Sequence, residues 1–144
     1  MLRDALLMFS VAQALTVTAV SEKWIDFSAY RDIGEGAQSV EVFIAVDEAA
    51  DAAGAATLTI TLECDDNSSF TSATTLATTA AIGKASLVIG YNPPPLHGLK
   101  IPSGCERFLR LNYTVATGPL TAGKVTAGLV LAHQSARAYP NITL

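Results

Sequence analysis

Hydrophobic and polar positions alternate with a period of two along most of this chain. The alternation is clearest in ERFLRLNYTV, where Leu109, Leu111, Tyr113 and Val115 share one face and Phe108, Arg110, Asn112 and Thr114 the other. KVTAGLVL repeats it, with Val125, Ala127, Leu129 and Leu131 on one side. Successive strand side chains point to opposite faces of a sheet, so this period predicts strands. Between them Thr117-Gly118-Pro119 supplies a reversal, because glycine permits positive φ and proline presets φ for a turn. Residues 104–131 are therefore expected to form a hairpin. Two strands cannot bury an apolar face alone, so the rest of the chain must supply a second layer.

Earlier segments provide it. SVEVFIAVD turns Val40, Val42, Ile44 and Val46 inward, and TLTITLEC alternates threonine with Leu58, Ile60 and Leu62. AQALTVTAV has strand propensity through threonine and valine. Residues 71–82 predict a weak edge strand and KASLVIGY (84–91) a further strand, whereas EAADAAGAA, with Gly54 and no large apolar residue, predicts a loop. Asp65-Asp66-Asn67-Ser68-Ser69 is a dense turn whose side chains can bond the local backbone. Asn92-Pro93-Pro94-Pro95 is excluded from a central ladder, since proline has no N–H to donate, and predicts a polyproline-like connector. About eight strand candidates with turns between them, and no helical period, predict an all-β fold, a jelly-roll type β-sandwich. Residues 1–144 are expected to form this single domain, with extended arms at about 1–10 and 133–144.

The first residues, MLRDALLMFSVAQA, carry Arg3, an apolar run over 5–9 and Ala12-Gln13-Ala14, the outline of a secretory signal. The run is short and Asp4 weakens its basic start, so the segment is expected to be an ordered arm. Trp24, the only tryptophan, is expected to plug the core or an edge, with an interface anchor as the competing role.

Composition sharpens the picture. Half of the 144 residues are apolar and 15% charged, and mean hydropathy is +0.36. Apolar surface beyond what a small core needs is expected to end in a subunit interface. No apolar run is long enough to predict a membrane helix, and no membrane partner is expected. Residues 1–72 hold three Lys/Arg against twelve Asp/Glu, and residues 73–144 six against one. Either acidic and basic strands neighbour each other in one sandwich, or the surface is polarised towards a charged partner. The basic residues form no dense cluster, so nucleic acid is not an expected partner.

Candidate chemistry is sparse. His97 and His133 lack the spacing of metal ligands. Asp65-Asp66 does not match a calcium loop. No GxSxG, HExxH, CxxC or phosphate loop appears, and Gly34 and Gly36 lack the strand and helix such a loop requires. Cys64 and Cys105 are expected as free thiols. Asn67-Ser68-Ser69, Asn112-Tyr113-Thr114 and Asn141-Ile142-Thr143 fit the glycosylation pattern but mean little without a secretory context. No catalytic residue, metal or cofactor is predicted, and the chain is not expected to be an enzyme.

A family resemblance runs along most of the chain. Ser10-x-Ala12-Gln13-Ala14-x-Thr16-x-Thr18-Ala19, Ile25-Asp26 and Arg31-Asp32-Ile33-Gly34-Glu35-Gly36 resemble the opening of the capsid cement proteins of tailed phages related to the Bordetella podovirus. Asp65-Asp66 with Phe70, the block from Glu106 through Tyr113, and the block from Thr121 through Leu131 are similar to its later parts. The resemblance implies a jelly roll on the outer surface of a phage head. It would be made in the host bacterial cytoplasm and would clamp neighbouring copies of a major capsid protein of HK97-like fold. It further implies a small homo-oligomer, dimer or trimer. On this reading Leu6 and Phe9, the Pro93, Pro94 and Pro95 loop, and Tyr139 are the expected partner contacts, and residues 1–9 are expected to be removable without loss of the fold. The alternative is a carbohydrate- or receptor-binding jelly roll of a head fibre or tail, whose sites need exposed aromatics; here aromatics are only 7% of the chain.

Overall fold

The computed structural model describes residues 3–28 and 40–131. Strands β1 (Met8–Ala14), β4 (Val40–Asp51) and β9 (Ala122–Leu131) form one antiparallel sheet in the order β1-β9-β4. The other sheet contains β2 (Ala19–Val20), β3 (Ile25–Asp26), β5 (Thr57–Asp65), β6 (Thr74–Thr78), β7 (Ile82–Gly83) and β8 (Phe108–Ala116). Its path is β2-β8-β5-β6, with β3 also pairing β8 and β7 pairing β5. The protein is an all-β sandwich of the jelly-roll class.

Alternation fixes the core between the sheets. Leu109, Leu111 and Tyr113 from β8 meet Leu58, Ile60 and Leu62 from β5, opposite Val42, Ile44 and Val46 from β4 and Val125, Ala127 and Leu129 from β9. Several of these are wholly buried, and each such side chain contributes roughly 1.5–3 kcal/mol of hydrophobic stabilisation. Tyr113 brings a hydroxyl into this layer, and the Ser10 Oγ lies 2.9 Å from it. Ser10 in turn donates to Gln13 Oε1 at 2.6 Å, so the buried polar atoms are satisfied.

The expected hairpin over 104–131 is not one. β8 lies between β5 and the β2 and β3 pair, while β9 lies between β1 and β4, so the turn at Gly118-Pro119 carries the chain from one sheet to the other. Alternation correctly assigns each strand's inward face, but it does not specify the neighbour. EAAD also departs from expectation: β4 continues to Asp51, paired with Ala122 across two register shifts.

KASLVIGY is not a strand. Lys84–Ser86 is a 3-10 turn, and Gly90 takes φ +81°. The stretch over 87–101 instead seals the outer edge of β4 irregularly. Ala50, Val46 and Val42 N–H groups donate to the carbonyls of Leu87, Tyr91 and Leu99 at 2.9, 3.1 and 2.8 Å. Where the prolines offer no N–H, side chains substitute. Asn92 Nδ2 donates to the Ile44 carbonyl at 2.9 Å, and the Ile44 N–H donates to His97 Nδ1 at 3.2 Å. The Pro93-Pro94-Pro95 segment is therefore a turn, closed by His97 N–H on the Pro93 carbonyl at 3.0 Å, and not a polyproline helix, which has no internal hydrogen bonds. A covered edge is protected from pairing with other chains.

The amino-terminal arm is shorter than expected. Ala5–Leu7 forms a 3-10 turn capped by Asp4, whose Oδ1 accepts the Leu6 N–H at 2.9 Å, and β1 begins at Met8. The expected arm at 133–144, His133 and the loop at residues 31–36 lie outside the described residues.

The uneven charge of the two halves has a structural resolution. Four ion pairs among the described residues, Asp26–Arg107, Glu48–Lys124, Asp51–Lys84 and Glu63–Arg110, each join an acid of the first half to a base of the second. The antiparallel ladders bring these halves together, as the neighbouring-strand reading requires.

Candidate functional site

Residues 21–24 link β2 to β3, which both pair with β8, and bridge on the way to β1 of the other sheet. Ser21 N–H donates to the Leu111 carbonyl of β8 at 2.8 Å, and Lys23 N–H donates to the Phe9 carbonyl of β1 at 2.9 Å. Gln13 holds the link from beneath: its Nε2 donates to the Val20 carbonyl at 2.8 Å and its Oε1 accepts the Glu22 N–H at 3.1 Å. These bonds stitch β1 to β8.

Trp24 is thus not a core plug. It is 52% exposed, because the linking backbone rather than the indole closes this edge. It lines a shallow groove of about 330 Å³ with Ala5, Leu6, Glu22 and Lys23. Leu6, held outward on its capped turn, is 85% exposed. Val11 lies alongside, its N–H directed at Glu22 Oε2 at 3.4 Å, and is exposed, as is Val20. An aromatic and an aliphatic side chain with a carboxylate and an ammonium beside them form a surface suited to docking protein.

The expected contact residues scatter. Leu6 belongs to this groove. Phe9 does not: it is fully buried as an inward residue of β1, so it is closed to any partner, and a deletion reaching residue 9 would remove core. Pro94 and Pro95 are exposed on the β4 edge, Pro93 is buried there, and Tyr139 lies outside the described residues. A second exposed apolar feature went unmarked in the sequence: Val88 and Ile89 at a turn tip. Solvent-facing aliphatics inside a strand-like run carry no sequence signal of their own.

Polar clusters elsewhere serve the fold. Arg107 grips Asp26 through both carboxylate oxygens at 2.7 and 2.8 Å and, with a backbone bond from Ser28, lowers the Asp26 pKa to about 2. Burial acts to raise Asp65, but hydrogen bonds from Asn67 and Ser72 outweigh it and leave its pKa lowered. Its neighbour Asp66 is raised, chiefly by the side-chain bond to Asp65. Burial first, then the adjacent Cys64, pushes the Cys105 thiol up to about 12, which keeps this buried cysteine a poor nucleophile.

These shifts set an acid response. A carboxyl depressed in the folded state contributes stability above its unfolded value, near 3.8, and loses it as pH falls towards the folded one. The thermal midpoint is expected to drop between about pH 4 and 2 as Asp26 protonates. Arg107→Gln should flatten that drop, and a thermal melt series across this range reads both.

The fold and this surface define a small antiparallel sandwich with an exposed apolar groove beside β1. The Bbp16 family profile matches residues 9–129, from β1 through β9. The chain belongs to the Bbp16 family, a Bordetella phage protein family. No curated protein matches it.

Proposed function

We propose that this protein is a capsid cement protein. It sits on the outside of the assembled phage head and clamps neighbouring copies of the major capsid protein, without catalysis. The observation that carries the reading is an exposed aromatic–aliphatic groove, bordered by the Lys23 N–H bond to the Phe9 carbonyl, on a chain of a phage family. Binding only the assembled shell stabilises that state by mass action. Each contact can be modest, because many copies share the load.

Copy number tests the reading. Quantitative mass spectrometry of purified particles is expected to give hundreds of copies in a simple ratio to the major capsid protein. A few copies would place the protein at a vertex or fibre, and absence from particles would overturn the proposal. The groove is tested separately by Trp24→Ala. An anchor of this kind is worth about 2 kcal/mol, so binding to particles stripped of the protein should weaken roughly thirtyfold. The melt should be nearly unchanged, since Trp24 is half exposed.

A further inference from the structure

The two cysteines are buried nucleophilic groups for which docking has no use. Cys64 lies on β5, on the same inward face as Leu58, Ile60 and Leu62, and pairs with Leu109 of β8. Cys105 lies just ahead of Leu109, in the short segment by which the chain enters β8. The ladder of β5 with β8 ends at Asp65 and Phe108, so the two side chains meet at its end. They belong to one core cluster, each 1% exposed. The thiols are hydrogen-bonded to each other and both are free.

The segment that carries Cys105 is anchored on one flank and exposed on the other. Just after it, the Arg107 carbonyl accepts the Phe27 N–H at 2.9 Å, and the Arg107 side chain grips Asp26. Just before it, Ser103 and Gly104 are exposed, and Gly104 takes φ +84° with open space where a Cβ would stand. The Cys105 thiol itself makes only a long bond to the Glu106 carbonyl, at 3.4 Å. A disulfide needs sulfurs about 2 Å apart, so the contact must tighten, and an exposed segment led by glycine can supply the shift. A small opening of the same segment reaches Cys105 before it reaches Cys64.

We propose that Cys64 and Cys105 are a latent disulfide, closed within one chain by a peroxide. When the segment opens, the Cys105 thiolate attacks one peroxide oxygen, the O–O bond breaks, and the departing hydroxide takes up a proton as water. Cys105 is then a sulfenic acid, only one oxygen larger than the thiol it replaces. On reclosing, the Cys64 sulfur attacks it and the S–O bond breaks. The oxygen leaves as a second water with the Cys64 proton. Two thiols are oxidised to one disulfide and one peroxide is reduced to two waters. While the segment is closed, burial and the neighbouring Cys64 hold the Cys105 thiol far above the usual range, so the reaction waits on opening. A reducing cytoplasm keeps the pair as thiols, and a medium that holds peroxide staples the end of β5 to the entrance of β8. The inference concerns the core and does not depend on the cement reading.

Treatment of the native protein with hydrogen peroxide, alone in buffer, tests it. Thiols titrated afterwards in guanidinium chloride should fall from two per chain to none. Peptide mapping without reductant should show the Cys64 peptide joined to the Cys105 peptide, and a non-reducing denaturing gel should show single chains. Closing a ring of roughly 40 residues should raise the thermal midpoint by about 10 °C, a gain that dithiothreitol reverses. In Cys64→Ser the reaction should stop at the Cys105 sulfenic acid, trapped by dimedone, with no rise in the midpoint. The parent protein decides the matter even if that variant does not fold. If both thiols persist, or are lost without the joined peptides, there is no latent disulfide. Either result leaves the cement reading to particle copy number, which measures it independently.

Discussion

Arg110→Met is expected to lower the unfolding free energy by about 3 kcal/mol or more, the cost of stranding one member of a buried ion pair. Glu63 projects from β5 with its side chain only 11% exposed. It accepts from Arg110 Nε at 2.9 Å and from Asn112 Nδ2 at 3.1 Å, both on the neighbouring β8. The Arg110 guanidinium also lies 4.2 Å from the ring centre of Phe70, which is itself buried. Methionine retains much of the stem that covers that ring but removes the charge, so the substitution isolates the electrostatic loss. The companion variant is Arg110→Met with Glu63→Met. Removing both partners should recover most of the loss, because a buried ion pair is costly mainly when broken and not when absent. Urea unfolding of the two variants against the parent decides the matter. A single-variant cost below about 1 kcal/mol would show that Glu63 behaves as a solvated surface group.

That pair also marks how far the sequence could be read. The placement of Arg110 on the outer face of β8 and of Leu109, Leu111 and Tyr113 on the inner one followed from alternation, since a strand's faces are a local property. Which strand lies alongside is not local, and the turn at Gly118-Pro119 suits a hairpin and an inter-sheet crossing equally. KASLVIGY misled for a related reason. It hugs the β4 edge as a strand would, but Gly90 at positive φ and the turn at Val88 break the ladder. The opposed charges of the two halves were readable as neighbouring strands: Glu63–Arg110 and Glu48–Lys124 follow from the pairing of β5 with β8 and β4 with β9, Asp26–Arg107 flanks the pairing of β3 with β8, and Lys84 reaches Asp51 from a 3-10 turn. The groove was only half legible. Leu6 is an expected partner contact in an apolar arm, whereas a lone Trp24 has no periodicity to reveal its direction. The backbone bond from Lys23 to Phe9 joins the two, and no pattern of side chains announces such a bond.

Gly128→Val is expected to cost about 3 kcal/mol, the upper end of ordinary overpacking, and to dismantle the groove before it unfolds the sandwich. Gly128 lies mid-strand in β9, between Met8 of β1 and Phe43 of β4. A Cβ there would meet the Leu7 carbonyl oxygen and the Met8 Sδ, each at 2.7 Å, and Met8 Cα at 3.2 Å. The thioether can swing aside. The carbonyl cannot, because Leu7 is fixed by its N–H bond to the Asp4 carbonyl within the turn that presents Leu6. Relief therefore requires that whole turn to lift from β9. Alanine should cost roughly 1–2 kcal/mol by the same route, and valine more, since its branches press further into the same space. Two readouts separate local from global damage. Emission from Trp24, the only tryptophan, should shift as its neighbour Leu6 departs, at temperatures where the far-ultraviolet spectrum is still that of the parent. Binding to stripped particles should fall in parallel with the emission shift. If valine is accommodated with neither a stability loss nor an emission change, the turn is not seated on β9, and Leu6 would have to be held in the groove by something other than the missing side chain of Gly128.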